Sequence, residues 1–493
     1  MPSKGVQTFA YIAVPDCSIE LSVPGKTITI TELRRFHNVS LEVEASDISS
    51  FFDKRGRFTF KVHHRGKLVT EQWINVNALT GNASGGTMES IADTRSIFHE
   101  YEQSGSRSGL VVCYGFYEAG RGHRADEQHV LPNRHQCYVT VSPDYASWQG
   151  ALAPAGSPLA GKPFGRLVLP SAHDVGMNSM TSAAAVLGRA GGAVVGTLLD
   201  DNARGKAALT QLADRVSRDA VARIAPNIVH SLAMTQKDEL ATMLRIGARY
   251  FEFRPARVHG AIGRPLAPGL PDRLYFQHGA IPGMAYDEFL RGVVRFLREH
   301  PTEIVVVQLR WDGVPDKCAK PGPGEKKEYL EAALKAEAGG GEVVVGGLED
   351  MKRKTIDQLR RERKRLIMLD SVNSLSTYSD EANATLNGDS MLEAMSRVLT
   401  KDNQRGKAFV NIQCQATASN IPKVVVYSVL EAGVTTSCLL ATKGICDSKI
   451  LPWCRDNVLR TCERDQLVVM MNDWIDGGTA DVAVNLSRQR LEM

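Results

Sequence analysis

The first part of the chain alternates hydrophobic and polar residues with a period of two. The pattern runs from about residue 9 to residue 141 and is interrupted by clusters of Gly, Asn and Asp. Such alternation predicts half-buried antiparallel strands, and several short strands separated by turns are typical of a β-sandwich. The predicted strands are Thr27–Ile30, Ser40–Ala45, Arg57–His64, Ser108–Tyr117 and Gln136–Ser142.

The pattern changes after the segment ALAPAGSPLAGK, residues 151–162, whose composition predicts a linker. Beyond it, continuous apolar runs alternate with amphipathic segments. Such runs predict strands buried on both faces, and the amphipathic segment Tyr286–His300, which is followed by Pro301, predicts a helix. The predicted strands are Arg166–Leu169, Ala248–Arg254, Leu274–Gln277, Ile304–Arg310, Leu366–Asp370, Ala408–Ile412 and Leu467–Met471.

This repetition of strand and helix predicts a parallel α/β architecture, either a (β/α) TIM-type barrel, regular or irregular, or an open doubly wound sheet. The barrel is preferred because no phosphate-binding GxGxxG or GxxxxGK[ST] segment follows the first strand. The predicted domains are a β-sandwich of unknown role over residues 1–150, a linker over 151–164 and the barrel over 165–493.

Composition excludes several other classes of protein. Hydrophobic residues make up 43% and charged residues 23% of the 493 residues, which argues against disorder. The 59 basic and 55 acidic residues leave a net charge of +4, which gives no argument for a nucleic-acid partner. The chain lacks an uncharged apolar run of about 18 residues, and its beginning lacks the features of a secretory signal. We therefore expect a cytoplasmic protein or one peripheral to a membrane.

Four of the nine cysteines, Cys438, Cys446, Cys454 and Cys462, recur every eight residues in a segment interpreted as rich in loops. A zinc site more usually contains a Cys-x-x-Cys pair, so isolated thiols or one local disulfide are preferred to a metal.

Polar residues with catalytic potential follow several of the predicted strands. His173 and Asp174 come after the first strand, Arg254 ends the second, His278 follows the third and Asp473 follows the last. The carboxyl ends of barrel strands meet at one face, so we expect these five side chains to share a pocket. Each residue alone has an ordinary structural alternative, such as a loop histidine, a surface arginine or an aspartate that caps a helix.

Together, these residue types can cleave a phosphodiester without a metal. One imidazole accepts the proton of the attacking hydroxyl, the other protonates the leaving oxygen, and the guanidinium offsets charge on the phosphoryl oxygens. A carboxylate beside each imidazole orients the ring and stabilises its protonated form.

The C-terminal region resembles the phosphatidylinositol-specific phospholipase C X-domain-like phosphodiesterases, particularly their bacterial-type, metal-independent branch. The resemblance covers about residues 165–480 and depends on five segments: LPSAHDVGM (169–177), LRIGARYFEFRP (244–255), LYFQHG (274–279), YDEFLRGVVRFLREHPTEIVVVQLRW (286–311) and VVMMNDWI (468–475).

The resemblance implies a role for each candidate residue. His173 is the general base supported by Asp473, His278 is the general acid supported by Asp174, and Arg254 holds the phosphate. A neighbouring hydroxyl of the substrate attacks phosphorus and leaves a cyclic phosphodiester. Arg254 stands where the calcium-dependent branch has an acidic ligand, so neither a metal nor another cofactor is expected.

The resemblance says less about the substrate. Arg310 and Asp312 fall where the bacterial enzymes contact inositol, but Asp370 and Ser371 stand where those enzymes have an arginine. We therefore expect a phosphatidylinositol-like phospholipid or a related phosphodiester, with peripheral membrane contact left open.

Two other functions fit the sequence. A metal-dependent hydrolase of the glycerophosphodiesterase type needs several carboxylates beside the histidines, and only Glu252 is suitably placed. A non-catalytic protein would use the sandwich to bind lipid or glycan. The segment Thr181–Ala225 has no counterpart in the compact bacterial pattern and is interpreted as a packing helix, a lid or a membrane contact.

Overall fold

The computed structural model describes residues 4–103, 105–119, 134–183, 185, 233–260, 270–337, 342–417 and 437–493. Its strands are β1 Gly5–Ile12, β2 Cys17–Val23, β3 Lys26–Ile30, β4 His37–Glu42, β5 Arg55–His64, β6 Lys67–Asn77, β7 Ala83–Gly86, β8 Ile97–Gln103, β9 Ser106–Tyr117, β10 His135–Pro143, β11 Val168–Ala172, β12 Tyr250–Phe253, β13 Pro255–Ala256, β14 Tyr275–His278, β15 Ile281–Ala285, β16 Val305–Leu309, β17 Val344–Gly346, β18 Lys364–Asp370, β19 Leu375–Ser376, β20 Val410–Gln413 and β21 Val468–Asn472.

The α-helices of the described residues are α1 Trp148–Leu152, α2 Leu240–Ile246, α3 Tyr286–Glu299, α4 Pro323–Ala336, α5 Leu348–Arg353, α6 Ile356–Arg361, α7 Asp380–Asn383, α8 Asp389–Val398, α9 Lys401–Gln404, α10 Lys443–Thr461 and α11 Gly477–Glu492. None of them combines the length and the apolar character needed to cross a bilayer.

The N-terminal part consists of two five-stranded sheets, with strand orders β4-β1-β10-β9-β8 and β3-β2-β5-β6-β7. One hydrophobic core joins them, and it includes Val6 and Val139 from the first sheet and Ile19 and Phe60 from the second. The five runs predicted from the period-two pattern overlap β3, β4, β5, β9 and β10 of this part. The expectation of uniformly antiparallel pairing is wrong at one place, because β1 and β10 are parallel.

The C-terminal part is built around an eight-stranded parallel sheet with the order β17-β18-β16-β12-β11-β21-β20-β19. Its central strands are buried at every position, as their continuous apolar runs predict. Helix α3 covers the sheet with an apolar face that includes Phe289, Val293 and Leu297. The mixed α/β class is confirmed, and the arrangement is consistent with a TIM-like barrel.

The predicted third strand does not belong to the parallel sheet. Strand β14 instead pairs antiparallel with β13 and β15 in a separate three-stranded sheet, and β16 lies directly beside β12. The backbone N–H of Gln277 donates to the carbonyl oxygen of Arg254 at 3.0 Å. His278 is therefore placed by a small sheet that extends from the end of β12, and its predicted place at the end of a barrel strand is wrong.

The first strand of the parallel sheet is displaced along the chain from its prediction. The predicted strand is Arg166–Leu169, whereas β11 runs from Val168 to Ala172 with Pro170 inside it. The carbonyl oxygen of Pro170 accepts the backbone N–H of Arg249 at 2.9 Å, which keeps this residue in the sheet. His173 consequently follows the strand directly.

The two parts of the molecule are joined at a buried carboxylate. Asp481 of α11 accepts hydrogen bonds from the hydroxyls of Tyr11 at 2.7 Å and Tyr145 at 2.6 Å, and from Arg34 Nε at 3.1 Å. Because all of these donors meet one buried acidic group, the sandwich is packed tightly against the α/β part. The predicted domain boundaries at residues 150 and 165 stay a prediction.

Two other sequence interpretations concern segments beside the main sheet. Cys446 and Cys454 lie in helix α10, so the interpretation of their segment as rich in loops is wrong. The predicted packing helix, lid or membrane contact at 181–225 lies almost wholly outside the described residues.

Candidate active site

The candidate residues His173, Asp174 and Asp473 come together because their strands are neighbours. Strands β11 and β21 pair in parallel with Ala172 opposite Asn472, so the residues that follow each strand emerge side by side. Arg254 follows β12, which pairs with β11 on its other side. The adjacency of the first and last strands brings residues 300 positions apart into contact.

His173 and Asp473 form a direct hydrogen bond. The distance from His173 Nδ1 to Asp473 Oδ1 is 2.7 Å, and Asp473 is buried. This bond directs the opposite ring nitrogen, Nε2, towards Asp174, whose Oδ1 lies 3.7 Å away. The ring is thereby fixed at one nitrogen while the other faces the buried carboxylate of Asp174.

Asp174 lies at the centre of the cluster. Its Oδ1 is 2.8 Å from Arg254 Nη2, and its Oδ2 is 3.5 Å from His278 Nε2. The carboxylate thus faces both imidazoles and the guanidinium, while its own side chain is 1% exposed. All five predicted catalytic residues, His173, Asp174, Arg254, His278 and Asp473, are brought together.

Arg254 belongs to a short chain of ion pairs along strand β12. Its Nη2 lies 3.1 Å from Glu252 Oε1, and Glu252 Oε2 lies 2.7 Å from Arg310 Nη1. Glu252 lies in β12, and Arg254, two positions further along, follows the end of this strand. Among the described residues, no hydrogen-bond acceptor is aligned with the buried Arg254 Nε.

The predicted substrate contacts Arg310 and Asp312 lie beside this cluster. Arg310 Nε donates to Asp312 Oδ2 at 2.8 Å, which lowers the pKa of Asp312. Asp312 is largely exposed, whereas Arg310 is half-buried by its contact with Glu252. Arg310 therefore connects the exposed carboxylate of Asp312 with the buried carboxylate of Glu252.

The electrostatic environment gives the two histidines opposite charge states. Burial disfavours protonated His173, but the carboxylates of Asp174 and Asp473 outweigh it and raise the His173 pKa to about 9. Burial lowers the pKa of His278 below its ordinary value of 6.5, and the nearby Arg254 guanidinium adds to this effect. At neutral pH the free protein therefore holds an imidazolium at His173 and a neutral imidazole at His278.

The two buried carboxylates also differ. Burial opposes ionisation of Asp174, but Arg254 and the two histidines overcome it and lower its pKa to about 2. Burial raises the pKa of Asp473, with the adjacent His173 opposing that rise. Asp174 therefore stays ionised between the cations at all ordinary pH values.

Sequence reasoning missed the residues that hold the catalytic loops in place. Gln236 Nε2 donates to the carbonyl oxygens of His173 at 2.9 Å and Asn472 at 3.1 Å, and its Oε1 accepts the backbone N–H of Ile475. Thr235 Oγ1 donates to the carbonyl oxygen of His173 at 3.1 Å. Both residues precede α2 and follow an undescribed segment, and no periodic pattern marks them.

Backbone strain accompanies the same loops. Asp174 and Trp474 have φ values of +45° and +49°, in the left-handed region that side chains other than glycine rarely adopt. Each such residue costs on the order of 1–3 kcal/mol, which the surrounding structure must offset. The backbone N–H of Trp474 donates to the carbonyl oxygen of Thr235 at 2.7 Å, and its ring is buried.

A metal ion is poorly accommodated despite a suitable set of ligand atoms. His173, Asp174 and Glu252 offer one ligand atom each within 4.8 Å of one another. The Arg254 guanidinium, however, contacts both carboxylates and so occupies the position between them. A fixed positive charge there repels a divalent cation, and removal of Arg254 would be needed before the two acids could share an ion.

Comparisons with known proteins give a limited result. No protein-family model matches the chain, and no curated protein matches it. Among solved structures, a variant of the phosphatidylinositol-specific phospholipase C of Staphylococcus aureus is 12% identical, with a TM-score of 0.39 over 69% of this chain and 97% of that chain. The enzyme of the same description from Listeria monocytogenes is 12% identical, with a TM-score of 0.38 over 70% of this chain and 98% of that chain.

TM-scores below 0.5 at such identities support no inference about activity, so the assignment depends on the geometry of the site. The described residues define a mixed α/β protein. His173 follows a strand of its parallel sheet and His278 ends a strand of its small antiparallel sheet. Both imidazoles and the Arg254 guanidinium surround one buried aspartate.

Proposed function

We propose that the protein is a phospholipase C-like phosphodiesterase that works by acid–base catalysis and needs no metal. Its C-terminal part would be a TIM-type barrel, and its substrate a phosphatidylinositol-like phospholipid or a related diester with a hydroxyl beside the phosphoester. The observation that carries the proposal is the position of Asp174. This buried carboxylate faces Arg254 at 2.8 Å and the Nε2 atoms of His173 and His278 at 3.7 and 3.5 Å.

In the first step, the substrate hydroxyl attacks phosphorus and its proton passes to His173 Nε2. A new phosphorus–oxygen bond forms, and the bond to the lipid alcohol breaks as His278 gives a proton to the leaving oxygen. Arg254 holds a non-bridging oxygen through its unpaired Nε, and Asp473 stabilises the imidazolium that forms on His173. Attack from within the substrate supplies much of the rate advantage through proximity.

In the second step, water opens the cyclic phosphodiester and the two histidines exchange roles. His278 accepts a proton from water, and His173 returns its proton to the departing oxygen. The resting charge states of the free protein, with His173 protonated and His278 neutral, match the start of this step. The first step starts from the opposite distribution, with His173 neutral and His278 protonated. This is the minor form of the same singly protonated pair, and proton transfer from it draws the pair through the reaction.

The proposal is tested by incubating the purified full chain with phosphatidylinositol and with glycerophosphodiesters, with and without a chelator. We expect a cyclic phosphodiester, visible by phosphorus NMR, at the same rate in both conditions, because Arg254 occupies the place of a cation. Turnover only with added divalent metal would instead indicate a metal-dependent hydrolase. The absence of turnover on every diester would leave a lipid- or glycan-binding role and would contradict the proposal.

The pH dependence follows from the two imidazoles. Catalysis needs one protonated and one neutral ring, so kcat/KM should fall below the lowered pKa of His278 and above the His173 pKa of about 9. Asp473→Asn removes a negative charge that favours the imidazolium of His173. We expect its alkaline limb to move to lower pH while the acid limb moves little. An alkaline limb that is unchanged in this variant would show that Asp473 does not support His173.

A further inference from the structure

Two loops at one end of the sandwich expose large hydrophobic side chains. Phe51 and Phe52, in the loop between β4 and β5, are 85% and 97% exposed, and their rings meet edge to face at 5.5 Å. Leu79, in the loop between β6 and β7, is 62% exposed. Burying aromatic rings normally stabilises a protein, so two adjacent phenylalanine rings that are almost fully exposed to solvent require an explanation.

The loops that present these side chains are held by hydrogen bonds. Lys54 Nζ donates to the carbonyl oxygens of Ala45 and Ile48, both at 3.2 Å, which closes the first loop. The backbone N–H of Ala78 donates to the carbonyl oxygen of Lys54 at 2.8 Å and joins the two loops. The hydrophobic tip, defined as Phe51, Phe52 and Leu79, is therefore a preorganised feature of the sandwich.

The hydrophobic tip lies at the end of the sandwich that adjoins the candidate active site. His135, at the start of β10, has its Nε2 2.7 Å from the carbonyl oxygen of Gly81, beside the loop of Leu79. The backbone N–H of Ala119 donates to His135 Nδ1 at 3.0 Å. Ala119 in turn belongs to the hydrophobic cluster that contains Trp474, the residue after Asp473.

Strand direction supports the same placement. Strand β4 ends with Glu42 opposite Gly5, while β5 begins with Arg55 opposite Asn77, so both loops leave the sandwich at one end. Strand β10 ends at the opposite end of the sandwich. Just beyond it, the backbone N–H of Tyr145 donates to the carbonyl oxygen of Arg245, which lies at the end of α2 and precedes β12. That end of the sandwich therefore lies beside the start of β12. The tip and the mouth of the site therefore face the same side of the molecule.

We propose that the hydrophobic tip inserts into the surface of a lipid bilayer and holds the candidate active site against it. This inference rests on the proposed function, because a lipid substrate would reach the site from that surface. Aromatic rings on a convex tip can enter the interfacial region of a bilayer without a shaped partner surface. The N-terminal sandwich thereby gains a role in positioning the site.

The charges beside the tip favour a zwitterionic lipid surface. Asp53 and Arg55 pair with each other at 2.8 Å, and the Lys54 ammonium is engaged by two backbone carbonyls. The same loop also carries the exposed acids Glu44 and Asp47, so it has no excess of positive charge with which to attract anionic headgroups. Binding should depend on hydrophobic insertion and be nearly independent of salt.

The test uses the full chain and phosphatidylcholine vesicles in a flotation assay. We expect the wild-type chain to float with the vesicles at both about 0.1 M and about 1 M salt. Phe51→Ser combined with Phe52→Ser should lower the partition coefficient on the order of 10–100-fold, since two rings lose their apolar burial. Leu68→Ser is the matched control, because Leu68 is also exposed, at 52%, but lies at the opposite end of the sandwich.

A second variant reports insertion directly. Phe52→Trp should show a blue-shifted emission on vesicles and quenching by lipids with a nitroxide in the acyl chain. A wild-type chain that does not float, or a double serine variant that floats equally well, would overturn the proposal. An unshifted and unquenched emission of the tryptophan at position 52 on vesicles would also overturn it.

Turnover of a water-soluble phosphodiester separates this inference from the proposed function. The double serine variant should keep that turnover, because neither ring touches the site. Vesicle binding that depends on the rings in a chain without phosphodiesterase activity would support membrane docking and contradict the proposed function. Phosphodiesterase activity in a chain that does not bind vesicles would support the proposed function and contradict membrane docking.

Discussion

Replacing either His173 or His278 with alanine is expected to lower the rate of phosphodiester cleavage by about 10²–10⁴. Each variant removes a proton acceptor or a proton donor whose ring faces Asp174. The combined variant should be little slower than the slower single variant, since the two rings act in one transition state. Single-turnover formation of the cyclic product measures the effect, with His63→Ala on strand β5 as the control.

A substrate with a nitrophenol leaving group distinguishes the two roles. Such a group departs without protonation, so it restores activity lost with the general acid but not activity lost with the general base. We expect His278→Ala to recover most of its rate on this substrate and His173→Ala to recover little. If His173→Ala recovers its rate and His278→Ala does not, His173 is the general acid and His278 the general base. Full activity in both alanine variants would show that neither histidine takes part in the mechanism.

Replacing Arg254 with glutamine is expected to lower the cleavage rate by about 10²–10³, the effect of losing one preorganised donor to a developing negative charge. The variant also removes the cation that holds the pKa of Asp174 at about 2 and helps to lower the pKa of His278. We therefore expect the acid limb of the pH profile to move to higher pH in the same variant, which kcat/KM measurements across pH would detect.

Arg257→Gln is the matched control for Arg254→Gln. Arg257 lies three residues further along and pairs with Asp272 at 2.6 Å and Glu325 at 2.7 Å, away from the cluster. Arg254→Lys keeps the charge but loses the planar fork, so it should retain part of the activity. If Arg254→Gln folds, as judged by thermal unfolding, and cleaves at the wild-type rate, Arg254 does not hold the phosphate.

The sequence predicted most strands of the molecule because their patterns are local. Period-two alternation marked β5, β9 and β10, and continuous apolar runs marked β16 and β21. The same pattern could not assign β14 to a sheet. A short apolar strand is compatible with parallel or antiparallel pairing, and only its contact with β13 decides between them.

The sequence also showed which residue types form the candidate site. It did not show the hydrogen bonds and ion pairs among them. Glu252 was considered only as a metal ligand, whereas it pairs with Arg254 and Arg310. Gln236 carries no signal in the sequence because an amide side chain that bridges two loops has no preferred spacing.

By itself, the sequence determined the classes of secondary structure and the set of acids, bases and cations after the strands, because side-chain periodicity and chemistry are properties of neighbouring residues. Tertiary structure alone decided that β11 and β21 are adjacent, that His278 arrives on a separate sheet, and that Asp174 faces both rings. It also decided the opposite charge states of the two histidines. These features depend on burial and on distances between remote segments, which only the folded chain defines.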